Sequence, residues 1–114
     1  MTNEELRKKQ FYFTWMVAEL ILFAKYNGYT LSFGDAWSTP DTYQVQEDGS
    51  LKRPHIVDSF HYKRLAVDFN LFKDGKWLTK TDDHKKLGEF WESLGGTWGG
   101  RFSKPDGNHY SLGE

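Results

Sequence analysis

Three side chains sit where an inert fold would have little use for them. Asp68 lies inside the alternating apolar run 65–72, flanked by Val67 and Phe69. His61 precedes that run, and His109 opens the last extended segment, three residues after Asp106. A carboxylate in an otherwise apolar strand is costly to bury unless it is paired or bound to a metal. Two imidazoles and one carboxylate make the three-ligand sphere of a catalytic zinc site, with a fourth position left for water. The chain has no cysteine, which excludes a disulfide scaffold, a thiol nucleophile and any thiolate metal site; a metal must be held by His, Asp or Glu. Straight strand at about 3.3 Å per residue would hold His61 about 23 Å from Asp68, so residues 62–64 must bend to fold His61 back. Asp106, close to His109 in a turn, is placed to act as a general base toward an attacking water. Taken singly, each residue also has an ordinary reading: a hydrogen-bonded or surface histidine, or an Asp68 paired with Arg64 or Arg101. The inference belongs to the set.

The elements that must position this set follow from pattern and punctuation. Thr2 with Glu5 forms a capping box and Asn27-Gly28 a stop, so residues 3–27 read as one long helix. Its apolar residues Phe11, Trp15, Met16, Leu20, Ile21 and Phe23 cover more than one stripe, which predicts burial on two sides. Residues 29–33 read as a short strand. From 34 to 59 regular periodicity fades, with a short helix expected at 41–46. The run 65–72 is the clearest strand, with Leu65, Val67, Phe69 and Leu71 on one face and Asp68 on the other. Asp74-Gly75 has hairpin chemistry, so 76–79 should pair back. Thr81, Asp82 and Asp83 supply the cap and first-turn acids of a second helix to about Leu94, on which Leu87, Phe90, Trp91 and Leu94 share a face. A turn at 104–108 and an extended piece at 109–112 close the chain. The expected fold is α+β: a small antiparallel sheet with a long N-terminal helix and a second helix packed on it, and a metal site at the sheet edge.

Composition limits the alternatives. A length of 114 residues fits a single domain, 1–114, large enough to bury a core. With 15 Lys+Arg against 16 Asp+Glu the chain lacks the basic field that nucleic acid or an anionic membrane would attract. The apolar run 11–24 is shorter than a bilayer span and is interrupted by Glu19, so no membrane insertion is expected. The acidic start Asn3-Glu4-Glu5 does not fit a secretory signal, which predicts synthesis in the cytoplasm without one. Five Trp, six Tyr and nine Phe exceed what core filling asks for, which leaves aromatics to line a groove. Nothing in charge or patterning demands more than a monomer.

The residues around this set also carry a family resemblance. Residues 59–68, Ser-Phe-His-Tyr-Lys-Arg-Leu-Ala-Val-Asp, resemble the Ser-x-His-x-x-Gly-x-Ala-x-Asp signature of the zinc D-alanyl-D-alanine carboxypeptidase and L-alanyl-D-glutamate peptidase family. Residues 106–109, Asp-Gly-Asn-His, resemble its closing Asp/Glu-x-x-His element. The intervening text, including Leu71-Phe72-Lys73-Asp74-Gly75 and Trp98-Gly99-Gly100-Arg101-Phe102, is similar to the compact bacteriophage endolysin branch. The resemblance implies that His61, Asp68 and His109 bind Zn2+, that Asp106 is the catalytic carboxylate and that Ser59 is a nearby polar support. It further implies hydrolysis of peptidoglycan stem peptides, as an L-Ala–D-Glu endopeptidase or a D-Ala-directed carboxypeptidase, acting on the bacterial cell wall in the periplasm after release.

Two departures stand out. Arg64 occupies the position of the signature's glycine, although the compact branch often has a basic residue there. The segment 34–40, Gly-Asp-Ala-Trp-Ser-Thr-Pro, is similar to the family's Gly-Glu-x-Tyr-Arg-Thr-Pro element but has Ser38 in place of its substrate-binding arginine. Arg64 and Arg101 are the candidate substitutes. Trp37 and Asp35 are expected to line the substrate groove, while Trp77, Trp91 and Trp98 read as core. His84, in an acidic first turn, is expected in solvent, and neither it nor His55, in the long loop after Pro54, is expected to be a ligand; Glu92 is an alternative general base. The rival readings are a zinc-bound but inactive wall-binding module and a metal-free aromatic binding domain.

Overall fold

Helix α1 (Asn3–Tyr26) starts as its sequence predicts, with the Thr2 hydroxyl accepting the Glu5 backbone N–H at 3.1 Å, and ends at Asn27. The computed structural model describes residues 1–36, 44–52, 60–61 and 63–114. After α1 come β1 (Thr30–Phe33), the two-residue strands β2 (Gln44–Val45) and β3 (Leu51–Lys52), then β4 (Ala66–Lys73) and β5 (Lys76–Leu78). A 3₁₀ turn (Thr81–His84) leads into α2 (Lys85–Ser93), followed by β6 (Thr97–Trp98), a second 3₁₀ turn (Gly99–Arg101) and β7 (His109–Ser111).

Strand β4 organises the molecule. It pairs antiparallel with β1 on one side, while β7 and β5 share its other side in succession and β6 extends the sheet beyond β7. The predicted alternation is realised: Leu65, Val67, Phe69 and Leu71 are all buried. They meet Phe13, Met16, Leu20 and Ala24 of α1, Leu87 and Trp91 of α2, and Trp98 and Tyr110. The expected α+β architecture is therefore the observed one. The β4–β5 turn at Asp74-Gly75 has positive φ at both residues, as a two-residue hairpin requires.

Three local expectations fail. The expected helix at 41–46 is contradicted at 44–45, which form β2 and pair with β3; 41–43 lie outside the described residues. The second helix does not start at Thr81, because residues 81–84 wind as a 3₁₀ turn, with Asp83 Oδ2 accepting the Lys80 N–H at 3.0 Å. That tighter winding turns His84 inward, where it is buried with its Nδ1 2.8 Å from the Tyr110 hydroxyl. Burial holds its pKa down to about 4, so the ring is neutral at pH 7. Third, α1 is buried along one stripe only; Phe11, Trp15, Leu22 and Tyr26, on the opposite side, are exposed. Its apolar count was large enough for two buried faces, but among the described residues only the side carrying Phe13, Met16, Leu20 and Ala24 is buried. No helix among the described residues is long and apolar enough to cross a membrane.

Candidate metal centre

The register of β4 and β7 makes Asp68 and His109 direct cross-strand partners, so their side chains leave the sheet on one face. Asp68 is anchored through its own backbone: its N–H donates to the Asp35 carbonyl at 2.7 Å, and its carbonyl accepts from Gly34 at 2.8 Å. His61 reaches the same place through the bend its spacing demands. The Leu65 N–H donates to the Phe60 carbonyl at 2.9 Å and the Arg64 N–H to that of His61 at 3.2 Å, closing the turn. Arg64 has φ of 58°, in the left-handed region that glycine occupies without penalty. That backbone requirement accounts for a glycine at this position of the signature and identifies Arg64 as a strained substitute.

The three side chains converge. His61 Nε2 is 3.4 Å and His109 Nδ1 3.3 Å from the same oxygen, Asp68 Oδ1, and one donor atom from each residue lies within 4.8 Å of the others. Both imidazoles are buried, and Asp68 Oδ1, also buried, accepts no hydrogen bond among the described residues. The separations fit a metal better than they fit hydrogen bonds. Two zinc bonds of about 2.05 Å at a tetrahedral angle put their donors about 3.3 Å apart, beyond good hydrogen-bond length. Two imidazole nitrogens and one carboxylate oxygen are also a donor set that zinc accepts.

The charges of this cluster shift one another. Burial alone would raise the Asp68 pKa, but the adjoining imidazoles of His109 and His61 outweigh it and hold it near 2. Burial would lower that of His109, yet Asp68 and Glu114 on opposite edges of the ring push it up to about 9. Asp106 is raised, first by partial burial and then by the Asp68 charge, with His109 and His61 pulling the other way. Its carboxyl thus stands within electrostatic reach of all three. The segment carrying it is tied down: the Asp106 N–H donates to the Gly99 carbonyl at 2.9 Å, the His109 N–H to that of Asp106 at 3.2 Å, and Trp98 Nε1 to that of Gly107 at 2.7 Å. Gly99 packs so closely on the Asp106 carbonyl and the His109 Cβ that no side chain fits between them.

Other expected site residues separate into three groups. Asp35 lies beside Asp68 through the backbone bond just described. Arg101 forms a two-pronged ion pair with Glu92, both N···O distances 3.1 Å, and lies over the Trp98 ring. That contact also occupies Glu92, the alternative base. Trp37, Ser38, Ser59 and His55 lie outside the described residues. Trp77, expected in the core, is instead exposed on β5. It borders a cavity of about 230 Å³ beside Asp106 that Asn70, Thr79, Thr81 and Asn108 also line. Sequence reasoning missed this cavity, and it missed Glu114, whose Oε2 lies 3.0 Å from His109 Nε2. No motif marks Glu114; the available signal was an acid after the Gly113 turn, five residues beyond a candidate ligand.

Among curated proteins none matches this chain. A family model described as D-alanyl-D-alanine carboxypeptidase matches residues 53–112, a span that includes His61, Asp68, Asp106 and His109. Because that span is more than half of the sequence and holds the whole converging cluster, the chain belongs to the D-alanyl-D-alanine carboxypeptidase family.

Proposed function

We propose that the chain is a zinc peptidase of the phage endolysin type that hydrolyses a peptide bond in the peptidoglycan stem peptide, either L-Ala–D-Glu or a bond next to D-Ala. One observation carries this reading: the buried Asp68 oxygen facing two histidine nitrogens at 3.3 and 3.4 Å, with Asp106 in electrostatic reach. His61, Asp68 and His109 would hold the metal, which when bound supplies a Lewis acid for the scissile carbonyl and lowers the pKa of water. Asp106 takes a proton from the attacking water and returns it to the leaving amine; its raised pKa suits it to both halves of that exchange. The cavity beside Asp106 offers uncharged polar groups from Asn70, Thr79, Thr81 and Asn108 to the amides of a peptide. Arg64 and Arg101, the latter paired with Glu92, are the candidate replacements for the arginine lost at Ser38. Residues 1–114 act as one catalytic unit, a monomer that works on the cell wall after leaving the cytoplasm.

The test is digestion of purified peptidoglycan, with the released ends identified by mass spectrometry and zinc measured in the same preparations. The wild type should carry about one equivalent of zinc and release defined peptide ends. Asp106→Ala should keep the zinc and lose roughly 10²–10⁴-fold in rate. Arg64→Ala should keep the zinc and turn over more slowly. Identical products at identical rates from wild type and Asp106→Ala would refute the catalytic assignment. Zinc binding without any released peptide would favour the wall-binding module instead.

A further inference from the structure

Beyond β7 the chain stays tied to the fold. The Leu112 N–H donates to the Leu65 carbonyl at 2.9 Å, continuing the β7 alignment by one bond. Gly113 then takes φ of +104°, a conformation strained for any residue with a side chain, and packs against the Phe60 ring. The Thr97 hydroxyl donates to the Glu114 carbonyl at 3.0 Å. Three separate contacts thus deliver the Glu114 side chain to His109, where Oε2 meets Nε2 at 3.0 Å. Asp68 and Glu114 take opposite edges of one buried imidazole.

We propose that Glu114 is the positioning residue for His109: it accepts the Nε2 proton and so keeps the Nδ1 lone pair aimed into the cluster with Asp68 and His61. A histidine ligand has two nitrogens, and the hydrogen bond made by one decides which tautomer presents the other. A carboxylate in that role also makes the imidazole a better donor, and loss of such a partner typically weakens metal binding 10–100-fold. Without Glu114, the His109 ring is free to present either nitrogen and to rotate about χ2. The inference rests on the zinc reading above but addresses a residue that neither the motif nor the metal set includes.

Zinc affinity of the whole chain, measured by competition with a chromophoric chelator, tests it. Glu114→Ala should weaken zinc binding 10–100-fold. Glu114→Gln keeps the volume and a carbonyl acceptor, and should weaken it by a smaller factor. In ¹⁵N spectra of the zinc-loaded wild type, His109 should carry its proton on Nε2, and in Glu114→Ala that signal should broaden or shift. If Glu114→Ala does not fold, Glu114→Gln and the wild-type spectrum decide the question. Affinities of both variants within twofold of wild type, or a wild-type His109 protonated on Nδ1, would overturn the role of Glu114 and leave the zinc reading standing. Failure of the wild type to bind zinc at all would overturn both.

Discussion

His109 lies between two carboxylates, Asp68 and Glu114, and that arrangement has a measurable cost at high pH. Its folded pKa, about 9, lies above the unfolded value near 6.5, so the stability it contributes is complete below pH 6.5 and is lost as pH rises through 9. For Asp68 the sign is opposite: a folded pKa near 2 gives stability that is present above about pH 4 and lost as pH falls toward 2. Chelator-treated protein should therefore lose roughly 1–3 kcal/mol between pH 6.5 and 9, read by denaturant melts, and His109→Gln should remove that slope. Over the same range zinc affinity should rise, because the metal must displace a proton from the ring. The residues behind these effects were legible in the sequence in proportion to how much their positions broke a pattern. Asp68 stood out because period 2 placed it opposite an apolar face, and the bend bringing His61 back was required by strand length. Glu114 and His84 were not legible: one depends on a left-handed glycine folding the tail, the other on a 3₁₀ turn where an α-helical start was expected.

At the scale of elements, the site is held by backbone pairing more than by side-chain packing. The β4–β7 register fixes Asp68 opposite His109, and the Gly99 turn ties down the Asp106 backbone next to His109. Gly99→Ala would force a side chain onto the Asp106 carbonyl and the His109 Cβ, both held by backbone bonds and slow to yield. The variant should fold less stably by about 1–3 kcal/mol and lose activity out of proportion to its loss of zinc, measured by melts and digestion together. The alternating strand behind this geometry was readable because one face is fully buried. β2 and β3, two residues each, left no periodic trace, and their pairing lies in the stretch 34–59 where pattern reading stopped.

The whole molecule shows an imbalance in how α1 is used. Leu20 is fully buried against the sheet, while Trp15, on the opposite side of the helix, is 69% exposed. Leu20→Ala should cost about 2–5 kcal/mol, whereas Trp15→Lys should change stability by less than about 0.5 kcal/mol and raise solubility. Equal effects from the two substitutions would show that the outer face is covered in solution. The sequence carried enough apolar residues to predict a packed helix, but composition cannot say which stripe a single sheet will take. The α+β class was legible for a simpler reason: a helical period at both ends of the central strand leaves few other ways to bury it.

The two backbone bonds that clamp Asp68 come from Gly34 and Asp35, and the stripe that covers the back of β4 comes from α1; both lie upstream of the family-matched span 53–112. The recognisable motif and the folding unit therefore have different boundaries. A fragment cut at residue 53 would retain every proposed ligand but lack the partners that place its carboxylate and close its core. Transplanting this chemistry onto another scaffold would require carrying the first helix and β1 along with it.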